Sequence, residues 1–252
     1  MTWALLAKRL SGKYAVAAVD LRGHGESSRD GAMSFAIEEL TRDAVAVWAH
    51  LFGAARPPTV VLGHSLGGAV AIHASSLEGI PSLAATVVID VVEGTAMQSL
   101  PYMLQVINRR PKAFDSVQHF VKYAYSSGLT KNFEAARVSA ASQVMPGGAS
   151  SSTSGSSKEE KEGGFVWVTD LTKTEPYWKG WYSGLSKRFL GVPVPKLLLL
   201  AGTDRLDKDL TIGQMQGKFQ MKVLPAGHAI HEDEPDKFCE ALDGFLTRFR
   251  IA

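Results

Sequence analysis

Two rhythms of apolar and polar positions run along the chain. Short, continuous apolar runs occur at 14–20, 59–62, 85–90, 196–202 and 219–224, each rich in Val, Ile, Leu or Ala and each followed by a polar turn. Unbroken apolar runs of this length predict strands buried on both faces, as in a parallel sheet. Between them, helical spacing appears at 37–52, 67–78, 206–217 and 233–250. Strands alternating with helices predict an α/β fold, a mostly parallel sheet with helices on both faces and right-handed crossovers.

The alternation breaks between 93 and 191. There the pattern predicts helices at 100–109, 113–126, 132–143 and 178–190, so this interval is expected to be a mostly helical insertion in one domain spanning 1–252. Within it, 146–164 is Ser/Gly-rich and then charged. Such a tract buries too little apolar surface to offset its ordering entropy, which predicts a disordered loop.

Composition narrows the function classes. The 252 residues carry 27 basic and 25 acidic side chains, and 45% are hydrophobic. A net charge of +2 leaves no basic excess of the kind that marks a nucleic-acid footprint. No apolar run approaches the roughly 18 residues of a membrane helix, and the first residues are too short and wrongly flanked for a signal peptide. Cys239 is the single cysteine, so no intrachain disulfide forms; this predicts a reducing compartment, cytoplasmic and/or nuclear.

The strongest chemical signal is Gly63-His64-Ser65-Leu66-Gly67-Gly68. A Gly-x-Ser-x-Gly match alone is weak. Here a strand pattern precedes it and a helix pattern follows, which is the setting of a nucleophile elbow. Ser65 is then the candidate nucleophile, on a strained turn where Gly63 and Gly67 remove side chains that would collide. The backbone N–H of Leu66 becomes the candidate oxyanion donor, aided by the positive end of the helix. Serine needs a base, and in hydrolases of this kind the chain order is Ser, then Asp or Glu, then His. His228 follows a glycine in the loop after the last strand and is preferred over His231, which reads as a surface or capping residue. His24, His50, His64, His73 and His119 read as structural. Asp90 and Asp204 both end strands between Ser65 and His228, and spacing alone leaves either as the acid; the general superfamily habit points to Asp204.

The motif Asp20-Leu-Arg-Gly-His-Gly-Glu-Ser27 is widespread among α/β-hydrolases. Narrower are Ile89-Asp-Val-Val-Glu-Gly-Thr-Ala-Met97, Ala136-Arg-Val-Ser139, the block from Leu197 to Met221, and Gly227-His-Ala-Ile-His-Glu-Asp233. Together these closely resemble the eukaryotic protein phosphatase methylesterase family. The resemblance implies an α/β-hydrolase fold and a serine esterase with no cofactor or metal. Its substrate would be the methyl ester on the C-terminal leucine of the protein phosphatase 2A catalytic subunit. It assigns Ser65 and His228 as above and prefers Asp90 as the acid, with Asp204 as the alternative. The aromatic run at 177–182 either lines a groove for the phosphatase tail or packs the insertion onto the body.

The resemblance also implies differences. Family members carry N-terminal strands and a His-Gly-Gly-Gly loop that supplies a second oxyanion donor, and neither occurs in this sequence. The expectation is an N-terminally incomplete sheet that lacks a central strand, and impaired catalysis. Residues 2–10 are expected to form the helix after that loop. Two other readings stay in view: a non-catalytic phosphatase-binding protein, and a small-molecule carboxylesterase of the same fold.

Overall fold

The computed structural model describes residues 1–27, 33–77, 79–147, 164–202 and 206–251. Asp204 and most of the Ser/Gly tract (148–163) lie outside the described residues, so neither the alternative acid nor the expected disordered loop can be placed.

In chain order the elements are α1 (Ala4–Leu10), α2 (Ile37–Phe52), β1 (Thr59–His64), α3 (Leu66–Ser76), β2 (Leu83–Ile89) and α4 (Glu93–Asn108). Then come β3 (Ala113–Phe114), α5 (Val117–Ser126), α6 (Phe133–Gln143), β4 (Val144–Pro146), β5 (Phe165–Trp167) and a 3₁₀ turn at Leu171–Tyr177. The chain closes with α7 (Trp178–Tyr182), α8 (Leu185–Gly191), β6 (Lys196–Leu200), α9 (Lys208–Met215), β7 (Gln220–Val223), α10 (Ile230–Asp233) and α11 (Pro235–Arg248).

The main sheet runs β1-β2-β6-β7, and every pairing is parallel. Every residue of β6 is buried, as is β2 from Ala85 onward, which is why their sequences lack polar alternation. One face packs through Val88, Leu198 and Leu200 onto α3, α7 and α8. The other packs through Val87, Ile89, Leu197 and Leu199 onto α1 and α11, where Phe238 and Phe245 fill the layer. The α/β class read from the pattern is therefore present, with helices on both sides.

One expected strand is not. Residues 14–20 join no ladder among the described residues, and Val16 and Val19 are 42% and 39% exposed. A strand is stabilised by paired backbone groups and by burial of its side chains. A short apolar run in sequence guarantees neither; among the described residues this segment joins no ladder and is mostly exposed.

The interval 93–191 also carries a feature that periodicity did not announce. Three short strands form an antiparallel sheet in the order β3-β5-β4, packed on α5 and α6 through Phe114, Phe120 and Trp167. Strands of two or three residues are too short to show a period. The predicted helix at 178–190 is broken in two by Gly184, which adopts φ +73° at the start of α8.

Candidate functional site

Ser65 sits between β1 and α3 with φ 52° and ψ −120°, a left-handed conformation costly for a residue with a Cβ. The turn is held by its own backbone: the Ser65 N–H donates to Ile89 O, and Ser65 O accepts from the Gly68 and Ala69 amides. The glycine requirement is steric at Gly63, where a Cβ would lie 1.9 Å from Gly67 O. At Gly67 itself a Cβ would meet nothing within 4 Å, so the close approach explains only the first glycine of the motif. The Leu66 amide opens α3, where the first N–H groups have no intrahelical acceptor and the helix dipole is positive.

Asp90 ends β2 with φ 48°, a second left-handed residue one strand over. Its N–H donates to Leu199 O, and its Oδ1 accepts from the Ala201 N–H at 2.9 Å. Oδ2 accepts a hydrogen bond from His228 Nδ1–H at 2.7 Å, and the Asp90 side chain has no solvent exposure. The carboxylate is thus desolvated but fully engaged, the arrangement that fixes an imidazole tautomer. His228 itself is half exposed. Ser65 and His228 share no hydrogen bond among the described residues; such contacts often close only when substrate is present.

Two neighbouring histidines make contacts around His228. His64 Nε2–H donates to the His228 carbonyl at 2.8 Å and so ties the histidine loop to the nucleophile strand. Burial, then the nearby His228, pushes the His64 imidazole down to about 3, so it stays neutral. His231 is buried against Trp3, with ring centroids 4.3 Å apart, and burial holds it well below the usual range. This is a core residue rather than the capping residue expected.

Further residues within the quoted motifs acquire roles that sequence alone did not assign. Asp233 accepts from Gly227 N (2.7 Å), Thr130 Oγ1 (2.7 Å) and Lys131 N (2.6 Å), which latches the loop bearing His228 to the turn between α5 and α6. Glu93 receives the Gly184 and Ser186 amides at 2.8 and 2.9 Å and so holds the α7–α8 junction beside the site. Asp207 Oδ2 accepts from Ser186 Oγ at 2.5 Å on the same junction. In the Asp20–Ser27 loop, Arg22 donates to both oxygens of Asp43 on α2, and Gly23 O accepts from Thr169 Oγ1.

The aromatic run at 177–182 packs rather than lines a groove. Trp178, Trp181 and Tyr182 are all buried in the main core, with Trp181 Nε1 donating to Phe35 O. Among the described residues no cluster of three His, Cys, Asp or Glu could hold a metal ion, and no helix is long and apolar enough to cross a membrane.

Solved structures share this architecture. E-2-(acetamidomethylene)succinate hydrolase superposes with a TM-score of 0.76 at 20% identity, covering 98% of this chain and 86% of that one. An esterase of Mycobacterium tuberculosis gives 0.71 at 20%, covering 98% and 80%. At such identities the likeness concerns the fold. The alpha/beta hydrolase family profile matches residues 1–241. Protein phosphatase methylesterase 1 of Bos taurus is 43% identical over 284 aligned residues, covering 100% of this chain and 75% of the relative. A probable protein phosphatase methylesterase 1 of Caenorhabditis elegans is 45% identical, covering 100% and 67%. With a Ser-bearing elbow, a buried Asp90 hydrogen-bonded to His228 and relatives of this closeness, the chain belongs to the protein phosphatase methylesterase family of α/β-hydrolases.

Proposed function

We propose that this chain is a serine carboxylesterase that removes the methyl ester from the C-terminal leucine of a protein phosphatase 2A catalytic subunit, using Ser65, His228 and Asp90. The observation that carries the reading is the His228–Asp90 hydrogen bond at 2.7 Å beside a nucleophile elbow, in a chain 43% identical to a protein phosphatase methylesterase.

The chemistry follows the acyl-enzyme route. His228 Nε2 takes the Ser65 proton as Oγ adds to the ester carbonyl. Asp90 keeps the Nδ1–H tautomer and stabilises the imidazolium. The Leu66 amide receives the developing oxyanion. Methanol leaves with the proton from His228, and water then releases the free carboxylate. No cofactor enters these steps. Residues 93–191 are read as the insertion that presents the protein substrate, because α5 and α6 reach the histidine loop through Asp233. Activity on a phosphatase tail fits a cytoplasmic and/or nuclear protein.

The test is demethylation of a peptide ending in leucine methyl ester, followed by mass spectrometry, together with labelling by a fluorophosphonate serine probe. Loss of 14 mass units ~ the methyl-to-proton exchange of this chemistry ~ and probe labelling that disappears in Ser65→Ala support the reading. Phosphatase capture without labelling would favour the binder, and turnover of aryl esters alone would favour a small-molecule esterase.

A further inference from the structure

We propose that the cavity beside Arg110 and Trp167 is a docking site for an acidic segment of a protein partner: a carboxylate of that segment pairs with Arg110, and its apolar side chains lie along Tyr102 and Val106. The cavity has a volume of about 280 Å³ and lies within the 93–191 interval, between the end of α4, the turn that follows it and β5. Ile107, Val166 and Trp167 give it an apolar wall, and Arg110, Lys112 and Asp170 a charged one. Ser65, Asp90 and His228 do not line it, so it is separate from the proposed esterase chemistry.

The aromatic wall is fixed. Trp167 Nε1 donates to Pro111 O at 2.8 Å, and its ring packs edge-on against Phe114 and Phe120, with centroids 5.6 and 5.3 Å away. The Arg110 guanidinium carbon lies 5.0 Å from the centre of that ring, a cation–π contact that keeps the charge at the cavity. Arg110 is half-buried, and burial lowers its guanidinium from the ordinary value. A desolvated cation is normally matched by an acid. Here none of Arg109, Arg110 and Lys112 forms an ion pair among the described residues. Asp170, the acid on the wall, accepts from Thr172 N and Oγ1 through Oδ1, at 3.1 and 2.6 Å, and so caps the 3₁₀ turn. Cations often serve the negative end of a helix, but the Arg110 side chain donates to no carbonyl of α4 among the described residues.

A planar guanidinium without an acid partner fits a carboxylate through two parallel hydrogen bonds. The run Arg109-Arg110-Pro111-Lys112 places three cations in four residues at the mouth, so the charge there favours an acidic ligand. The neighbouring surface indicates what carries the acid. Tyr102 and Val106 lie one turn apart on α4 and are 66% and 57% exposed, and no residue of that helix is buried. The next position on their row is Arg110, two residues past the helix end. An apolar strip running into a cationic cavity is longer than a small anion needs. It matches a peptide that carries apolar and acidic side chains in turn.

The experiment presents the full chain with a displayed library of random peptides and measures the most enriched peptide by fluorescence polarisation. Enriched sequences are expected to carry Asp or Glu beside aromatic or aliphatic residues. Arg110→Gln should weaken binding of that peptide about 10-fold or more, with Tm unchanged, and Lys112→Gln should weaken it less. Tyr102→Ser should also weaken it. Replacing the peptide's acids by amides should erase the dependence on Arg110, which ties the loss to that pair. Added salt should lower the affinity. Should Arg110→Gln fail to fold, Arg110→Lys takes its place: it keeps the charge, loses the fork and should still weaken binding. An enriched set without acids, or an affinity unmoved by the Arg110 variant, would overturn the proposal. So would free glutarate competing as well as the peptide, because the cavity would then be a small-anion site. Binding that appears only when Glu159→Gln, Glu160→Gln and Glu162→Gln are combined would make the chain's own acids the occupant and overturn the partner role.

Discussion

The two strands that lead to the proposed catalytic residues are supported very differently. β2, which ends in Asp90, lies between β1 and β6 and is buried from Ala85 to Ile89. β1, which leads to Ser65, is an edge of the described sheet, and most of its residues are only partly covered. The segment 14–20 joins no ladder among the described residues. Yet both strands end in left-handed residues, at φ 52° and φ 48°. The proposed acid is held by the sheet interior. The proposed nucleophile is held instead by its turn glycine, by α3 and by the bond from His64 to the His228 carbonyl. Where ladder support is thin, side chains from distant segments position the reacting groups.

The sharpest way to probe this contrast is at the two strand ends. Ser65→Ala should abolish serine-probe labelling and reduce ester turnover by about 10⁴-fold or more. Its Tm should hold or rise slightly, because the strained turn keeps its glycine and its backbone bonds. Asp90→Asn should reduce kcat by about 10⁴-fold, since an amide at Oδ2 presents the wrong partner to His228 Nδ1. Asp204→Asn should cost far less in the same assay; the reverse order of losses would reassign the acid.

Stability separates the same regions. Leu198→Ala, in the fully buried β6, should cost about 2–5 kcal/mol in urea or thermal unfolding through lost burial and a residual cavity. Val16→Ser, in the exposed unpaired segment, should stay within about 0.5 kcal/mol. A large effect at Val16 would mean that residues 14–20 are buried in solution.

Between these lies a pH effect on the histidine side. Burial raises the Glu232 carboxyl to about 7 from its usual 4.5. The folded state therefore binds this proton more tightly than the unfolded state. Its contribution favours folding below about pH 4.5, is lost as pH rises through 4.5 to 7, and is constant above that. The span corresponds to about 3 kcal/mol. Glu232→Gln should flatten that part of the stability–pH curve and raise stability at pH 8; equal slopes in both proteins would show that the carboxyl is not desolvated in solution.

Much of the site was legible because short motifs encode local geometry. Gly63-x-Ser65 between an apolar run and a helix pattern specifies a tight turn wherever it occurs, and His228 after Gly227 specifies a loop at a strand end. Two acids ended strands equally well, and nothing local distinguishes them. Asp90 meets His228 across 138 positions of chain, so the pairing depends on which strand ends lie side by side. Glu93 and Asp233 stood inside recognisable motifs, but their partners, the 184–186 amides and the 130–131 turn, are far away in sequence.

By itself, then, the sequence determined the α/β order of elements, the nucleophile elbow and the family, because periodicity, turn chemistry and motif identity are local properties of the chain. Tertiary structure decided that 14–20 joins no ladder among the described residues, that the aromatics at 178–182 enter the core, and that Asp90 lies against His228. Those outcomes depend on which surfaces meet, and neither the spacing nor the type of a residue records its long-range neighbours.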